Sequence, residues 1–353
     1  MSEVRVRGLT VEYQTPAGWL PAVAGAGLDL RAGEITGLVG ESGSGKSTLA
    51  LSLLNAVPAP GRIAAGSIEV AGVGDVVRLT GRQLRKVRGG ALGYVFQASQ
   101  NSLNPLKTIG KQLLDLGRSH EVSDLRALIA RAKDLANRMG LDGDRVLDSY
   151  QHELSGGMRQ RVGIVFALVL NAKVLILDEP TTALDMLSQA SVLDIVRKVH
   201  DENQLSTLII THDIGAISEI ADRLAVMYGG RIVEDGPLLD VLRRPAHPYT
   251  KALIGATARI TGDVDAAQPL PGRPPDLSTV ARVGCVFRDR CPFAIAVCAE
   301  AEPALEAWED GRRRACHVEP AAVQSGGPGK PGTPGKTEVP GAAEAPATVG
   351  EPA

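Results

Sequence analysis

Two glycine-rich turns in this sequence have the composition of anion sites. The segment GESGSGKS, Gly40 to Ser47, has the pattern G-x-x-x-x-G-K-[ST] between a strand-like run and a helical one. There Gly40, Gly43 and Gly45 let the backbone wrap a phosphate chain, with loop amides as donors, and Ser42, Ser44 and Thr48 fall in the same cradle. Lys46 is placed to set its charge on β- and γ-phosphates, and the Ser47 hydroxyl to complete a Mg²⁺ shell. A bare turn with a surface lysine is the alternative, and the flanking strand and helix weigh against it. The second turn is LSGGMRQR, Leu154 to Arg161. A glycine-rich turn opening a helix offers backbone N–H groups and a positive helix end to an anion. With one loop already serving the chain's own phosphates, a second such turn implies a second nucleotide.

The acidic candidates follow the apolar run VLIL. Asp178 and Glu179 stand at the carboxyl end of a buried strand, where ligands bind in open α/β sheets. Asp178 suits Mg²⁺, directly or in its outer shell, and Glu179 suits orienting or deprotonating an attacking water. Taken alone, the pair is equally a helix cap. His212, in IITHD after the next strand, is the third strand-end polar residue. A single histidine is more often structural, but one in that place can bond a γ-phosphate and the water.

The elements that position these residues are legible in outline. VRVRGL at 4–9, VEY at 11–13, EITGLVG at 34–40, SIEV at 67–70 and GYVFQ at 93–97 read as strands, and Lys46 to Ala56 as a helix stopped by Pro58 and Pro60. From Leu103 to about Gly140 apolar residues recur at helical spacing. VLIL at 174–177 and TLII at 207–210 are unalternating apolar runs, which fit a parallel sheet covered on both faces, with the helix 188–203 crossing between them. RLAVMYGGRIVEDG, 223–236, reads as a hairpin. No internal repeat is present, so one nucleotide-binding unit is expected.

Composition bounds the function classes. The 353 residues carry a net charge of −2 and 44% hydrophobic residues, which gives no sign of nucleic-acid binding. The start, MSEVRVRG, lacks a signal-peptide core, and the apolar run Val162 to Leu170 is half the length that spans a bilayer. A cytosolic protein, or one held at a membrane by partners, is expected. All four cysteines lie between Cys285 and Cys316, and without secretion disulfides are the lesser explanation. Residues 321–353 are mostly Gly, Pro, Ala and Ser and read as a disordered tail.

Tyr13, the loop at 40–47, Gln97, LSGGMRQR, LILDEP, TALD at 182–185 and His212 follow one another as in the ATP-binding cassette (ABC) ATPases, which residues 1–235 therefore resemble. The resemblance implies a P-loop α/β core of mostly parallel sheet flanked by helices, with an antiparallel β subdomain and a helical subdomain at about 98–160. It implies that Tyr13 stacks on adenine, where strand packing is the alternative, and that Gln97 contacts Mg²⁺ or the lytic water. It further implies that Ser155, Gly156 and Gly157 meet the γ-phosphate of a nucleotide held by a second ATPase subunit, identical or homologous, with Asp185 across the same interface. Glu179, His212 and Gln97 become the expected catalytic set, with ATP and Mg²⁺ as ligands. SQNSLNP, Ser99 to Pro105, is similar to a stretch in ATPases that drive peptide uptake, which makes the helical arm the expected dock for a membrane subunit.

Beyond residue 235 the sequence reads as a separate small extension over 236–320. Its Cys285, Cys291, Cys298 and Cys316 are spaced C-x5-C-x6-C-x17-C. Zinc sites usually carry a tight C-x2–4-C pair, absent here, and ferredoxin spacings are not matched either. Iron–sulfur, zinc (with His317 as a possible ligand) and free or disulfide-forming thiols all remain open on spacing alone. HPYTKAL at 247–253, PLPGRPPDL at 269–277 and GCVFRDRCPFA at 284–294 resemble the C-terminal extension of oligopeptide and dipeptide importer ATPases, where such cysteines bind a 4Fe–4S cluster. The whole then resembles one ATPase subunit of a peptide or nickel importer. That implies two transmembrane permease subunits, an extracytoplasmic substrate-binding protein, and a peripheral place on the cytoplasmic face of the membrane. Import of nickel or another small solute, and a soluble iron–sulfur-regulated ABC ATPase, are the alternatives.

Overall fold

A computed structural model describes residues 2–97, 103–182, 184–256, 270, 272 and 283–325. In chain order the first half contains β1 (Ser2–Thr15), β2 (Gly18–Arg31), β3 (Ile35–Val39), α1 (Lys46–Leu53), β4 (Gly61–Val70), β5 (Gly74–Asp75), α2 (Gly81–Gly90) and β6 (Leu92–Val95). Then follow α3 (Ile109–Ser119), α4 (Leu125–Arg138), α5 (Gly143–Asp148), α6 (Gly156–Leu168), β7 (Val174–Asp178), α7 (Met186–Asn203) and β8 (Ser206–Thr211). After these come α8 (Ile214–Ser218), β9 (Arg223–Tyr228), β10 (Arg231–Pro237), α9 (Leu238–Arg243) and α10 (Pro248–Gly255). The extension adds α11 (Val297–Glu300), β11 (Glu306–Trp308), β12 (Arg312–Arg314) and α12 (Pro320–Ser325).

Two sheets carry the fold. The first is antiparallel, ordered β2-β1-β4-β5, and the second is ordered β11-β12-β10-β9-β3-β8-β7-β6. Within the second, β9, β3, β8, β7 and β6 run parallel. The apolar runs of β7 and β8 are buried on both faces, as their lack of alternation predicts. Leu175 and Leu177 face one core with Val162 and Val165 of α6 and Val192 and Val196 of α7. Val174 and Ile176 face another with Leu49 and Leu53 of α1 and the inward residues of β1 and β2. The two runs expected at 4–9 and 11–13 are one strand, because register shifts between Val6 and Val11 re-phase β1 on both partners without ending it.

Helices α3, α4 and α5 form a helical unit around Leu113, Leu128, Ala132, Leu135 and Val146, continuous with the core under α6. Helix α3 meets α4 closely at Gly117, where a Cβ would lie 2.5 Å from a methyl of Leu128. Residues 98–102, which hold the start of SQNSLNP, lie outside the described residues.

The extension is not a separate body. Strand β12 pairs antiparallel with β10 (Glu234↔Arg314, Asp235↔Arg313) and β11 with β12, so the C-terminal segment lengthens the cassette's own sheet. The boundary expected at 235/236 falls inside β10. Residues 321–325, expected to open a disordered tail, belong instead to the helix Pro320–Ser325, with Val323 fully buried; the rest of that expectation, residues 326–353, lies outside the described residues.

Candidate functional site

The parallel strands deliver their polar residues to one end of the sheet. Strand β3 is buried throughout and runs into the loop Gly40–Gly45, which must leave it sharply. Two glycines make that possible: Gly40 has φ 157° and Gly45 φ 100°. A Cβ at Gly40 would sit 2.1 Å from the Met227 carbonyl oxygen, and one at Gly45 2.4 Å from that of Ala22. Gly45 caps α1 with no side-chain acceptor, so the first amides of the helix stay available to an anion. Ser42 and Gly43 are exposed, Ser44 is buried, and Thr48 lies on the first turn of α1.

Lys46 is buried and folds back over the loop. Its ammonium donates to the carbonyls of Gly40 (2.8 Å) and Glu41 (2.9 Å) and lies 3.4 Å from Ser44 Oγ. Burial lowers its pKa, while Glu179, Asp178 and Glu41 act to keep it charged. Ser47 donates to Asp178 Oδ1 at 3.1 Å, and the Tyr94 hydroxyl donates to Asp178 Oδ2 at 2.9 Å. Burial raises the Asp178 pKa, and these two hydrogen bonds oppose it. A hydroxyl beside a buried carboxylate is a hard-oxygen donor set, which fits Mg²⁺.

Glu179 collects the rest of the expected set. Its Oε2 accepts from Gln97 Nε2 at 2.8 Å and from Thr182 Oγ1 at 2.9 Å, and its Oε1 lies 3.4 Å from His212 Nδ1. Its backbone has φ 49°, the left-handed region that a non-glycine residue rarely adopts. Strain of this kind costs of order 1–3 kcal/mol and gathers at functional sites. One constellation therefore holds Lys46, Ser47, Asp178, Glu179, Gln97 and His212. It has a cation for phosphate oxygens, a hydroxyl–carboxylate pair for a divalent ion, and a carboxylate flanked by polar groups for a water.

Tyr13, Ser155, Gly156, Gly157 and Asp185 do not join this network through their side chains. Tyr13 lies on β1, half-buried, over Gly61, where a Cβ would lie 2.6 Å from its ring. Ser155 is exposed and caps α6, accepting from the Met158 amide at 3.3 Å. Asp185 caps α7 through the amide (2.9 Å) and hydroxyl (2.7 Å) of Ser188, which lower its pKa. Beside it Met186 and Leu187 are 74% and 85% exposed. Sequence reasoning missed Tyr94 and Thr182. Tyr94 was visible as the tyrosine near the end of a strand; Thr182 became a partner of Glu179 only through the turn after β7.

The four cysteines are free thiols, with Cys285 and Cys298 buried. Burial pushes Cys291 up to about 12, with Cys316, Cys285 and Cys298 adding to the rise, and Cys316 up to about 11, with Cys285 and Cys298 adding. Burial also raises Cys285. The thiols thus feel one another, although they come from a turn, a helix and the segment after β12. The Val318 amide donates to Cys316 Sγ at 3.4 Å. His317 sets its Nε2 on the Ala301 carbonyl at 2.9 Å. Among the described residues no group of three or more His, Cys, Asp or Glu is placed to hold a metal ion.

Comparison with known proteins covers nearly the whole chain. Residues 23–182 match the ABC transporter family, and residues 233–298 match the oligopeptide/dipeptide transporter C-terminal region. A peptide import ATP-binding protein of Brucella melitensis is 41% identical over 313 residues, which is 85% of this chain and 92% of that protein. One from Brucella abortus is 40% identical over 314 residues, 89% of this chain and 94% of that one. Among solved structures, a dimeric bacterial ABC transporter cassette aligns with TM-score 0.57 and 25% identity, over 67% of this chain and 98% of that one. The protein cbiO1 of Clostridium perfringens, part of the ABC transporter complex cbiONQ, aligns with TM-score 0.58 and 27% identity, over 68% of this chain and 90% of that one.

Proposed function

This chain belongs to the ABC transporter family, among its peptide-import ATP-binding proteins, and from that membership we propose how its residues divide the work. It is the ATP-binding and ATP-hydrolysing subunit of a peptide importer. The observation that carries the assignment of roles is the convergence of Lys46, Ser47, Asp178, Glu179, Gln97 and His212 at one end of the parallel sheet.

Lys46 and the amides at Gly40–Thr48 hold the β- and γ-phosphates. Ser47, Asp178 and Gln97 hold Mg²⁺, which when bound neutralises charge on the phosphate oxygens. Glu179 orients and deprotonates the attacking water, with His212 fixing the carboxylate and the γ-phosphate. Tyr13 offers its ring face to adenine. Ser155, Gly156 and Gly157 complete the site of a second ATPase subunit, and Asp185 lies across that interface. The exposed Met186 and Leu187 next to Asp185 support a partner on this face. Phe96 and Leu106, exposed on either side of Gln97 in the chain, support docking of two permease subunits against the segment that senses the γ-phosphate. A substrate-binding protein outside the membrane delivers the peptide. No helix among the described residues is long and apolar enough to cross a membrane, in keeping with a peripheral subunit on the cytoplasmic face.

We also propose that Cys285, Cys291, Cys298 and Cys316 hold a 4Fe–4S cluster. Four free thiols with no disulfide among them suit it, since such a cluster spreads its thiolates over four irons, whereas one zinc would draw them to about 2.3 Å from a single centre. When bound, the cluster would staple a loop-rich segment that has little core of its own. Iron, sulfide and zinc assays on anaerobically purified protein test this: matched iron and sulfide are expected, and stoichiometric zinc without sulfide would overturn it. For the cassette, Lys46→Ala in the full chain is expected to weaken binding of a fluorescent ATP analogue by about a hundredfold or more. Parental affinity in that variant would sink the phosphate-site reading.

A further inference from the structure

The loop that cradles phosphate carries a carboxylate, Glu41, directly after Gly40. A negative side chain there opposes the binding of a polyanion, and it lies close enough to Lys46 to act on its charge. The structure disposes of it in a specific way. Arg290, 249 residues away in the chain, reaches Glu41 with both terminal nitrogens, at 2.7 and 3.0 Å. The two side chains are only 9% and 14% exposed. Arg290 also meets the Tyr228 hydroxyl at 3.3 Å, and the Glu41 amide donates to the Tyr249 hydroxyl at 2.9 Å. Tyr228, Tyr249 and Phe287 pack ring against ring behind this pair, with centroids 4.5 to 5.4 Å apart. Arg290 belongs to the tight turn Arg288–Arg290 that leads into Cys291, so its reach is set by the cysteine-bearing extension.

We propose that Arg290 is a positioning residue for the phosphate loop: it draws the Glu41 carboxylate away from Lys46 and the bound phosphates, so that nucleotide affinity depends on the seating of the extension. The proposal rests on the reading of Gly40–Ser47 as the ATP site. A two-pronged guanidinium–carboxylate bond fixes direction as well as charge. With Arg290 lost, Glu41 turns to Lys46, a cation whose charge it already acts on, and competes there with the γ-phosphate. The damage then comes from an unpaired carboxylate, and removing that carboxylate repairs it.

Binding of a fluorescent ATP analogue to the full chain tests this, with circular dichroism as the check on folding. Arg290→Gln is expected to weaken affinity by about tenfold, of the size a broken partly buried ion pair produces. The double variant Arg290→Gln with Glu41→Gln is expected to return to within about threefold of the parent. In the assembled importer, Arg290→Gln raises KM for ATP by a larger factor than it lowers kcat, because Arg290 touches neither the water nor the γ-phosphate. Arg290→Gln with parental affinity overturns the proposal. So does a folded double variant that binds no better than the single one, the result expected if Arg290 only braces the fold. Lys46→Ala run in parallel separates the two readings. Its loss of binding beside a silent Arg290→Gln removes Arg290 alone, and its own silence removes the phosphate site as well.

Discussion

Glu179 and Glu234 are the same side chain put to opposite uses. Glu234, in the middle of β10, is 0% exposed; it accepts from Arg312 at 2.6 Å and from the Ala246 and His247 amides at 2.9 Å each. Glu179, directly after β7, has a side chain 16% exposed and partners of weaker or conditional strength: an amide, a hydroxyl and an imidazole. Glu234 spends its acceptor sites on a buried cation and two fixed donors, which locks the HPY turn and β12 onto the sheet. Glu179 keeps its oxygens within reach of solvent, on a strained backbone that packing holds in place. Chemistry needs the second arrangement and architecture the first, and the root of the extension is built wholly on the first: Arg223 pairs with Asp235 at 2.7 Å, and Arg313 pairs with the same carboxylate.

The largest expected effect breaks the architectural half. Glu234→Ala leaves Arg312 buried without its carboxylate and is expected to cost about 3–5 kcal/mol in chemical denaturation; a loss below about 1 kcal/mol would show that the buried pair does not hold the extension. Next comes the chemical half. Glu179→Gln keeps the side chain's shape and is expected to retain ATP binding, accumulate a closed dimer on gel filtration with ATP, and lower turnover by about a hundredfold or more. Equal turnover by variant and parent would take the water-activating role from Glu179.

A third effect is one of pH. His247, wholly buried as the cap of α10, accepts from the Tyr249 amide at 3.0 Å. Burial, and then Arg314, lower its pKa to about 3, while Glu234 bonds its backbone amide from the other side. A depressed pKa means that stability is complete above the unfolded value of about 6.5 and is lost as pH falls toward the folded one, by about 2 kcal/mol between pH 6.5 and 5. Melting curves should record that fall, and His247→Asn, which retains a capping oxygen, should flatten it; an equal slope in both would assign the acid sensitivity elsewhere. The smallest effect returns to the nucleotide face. Ser155→Ala removes the cap of α6 and is expected to cost about 1 kcal/mol of stability, with a larger loss in turnover than in melting temperature if Ser155 serves a second subunit. A variant that loses only stability would make Ser155 a cap like any other.

The contrast between the two glutamates was half legible beforehand. Glu179 announces itself by following an unalternating apolar run, because a strand buried on both faces can place a carboxylate only at its end. Glu234 gives no such sign. It sits among IVEDG in a hairpin strand, where alternation predicts a solvated side chain, and only the turn at Ala246–His247 and Arg312 of the late-arriving β12 cover it. Its partner Arg312 reads in GRRRACH as one of three surface arginines.

The sequence by itself determined the parts that are local. The glycines whose backbone no other residue could follow, the glycine-rich helix starts and the apolar runs that become central strands each fall within a few consecutive residues, where spacing reports conformation directly. Only the tertiary structure decided what is joined across the chain: β12 on β10, Arg312 on Glu234 and Arg290 on Glu41. Those contacts depend on how the last third of the chain packs against the first, and no periodicity records it.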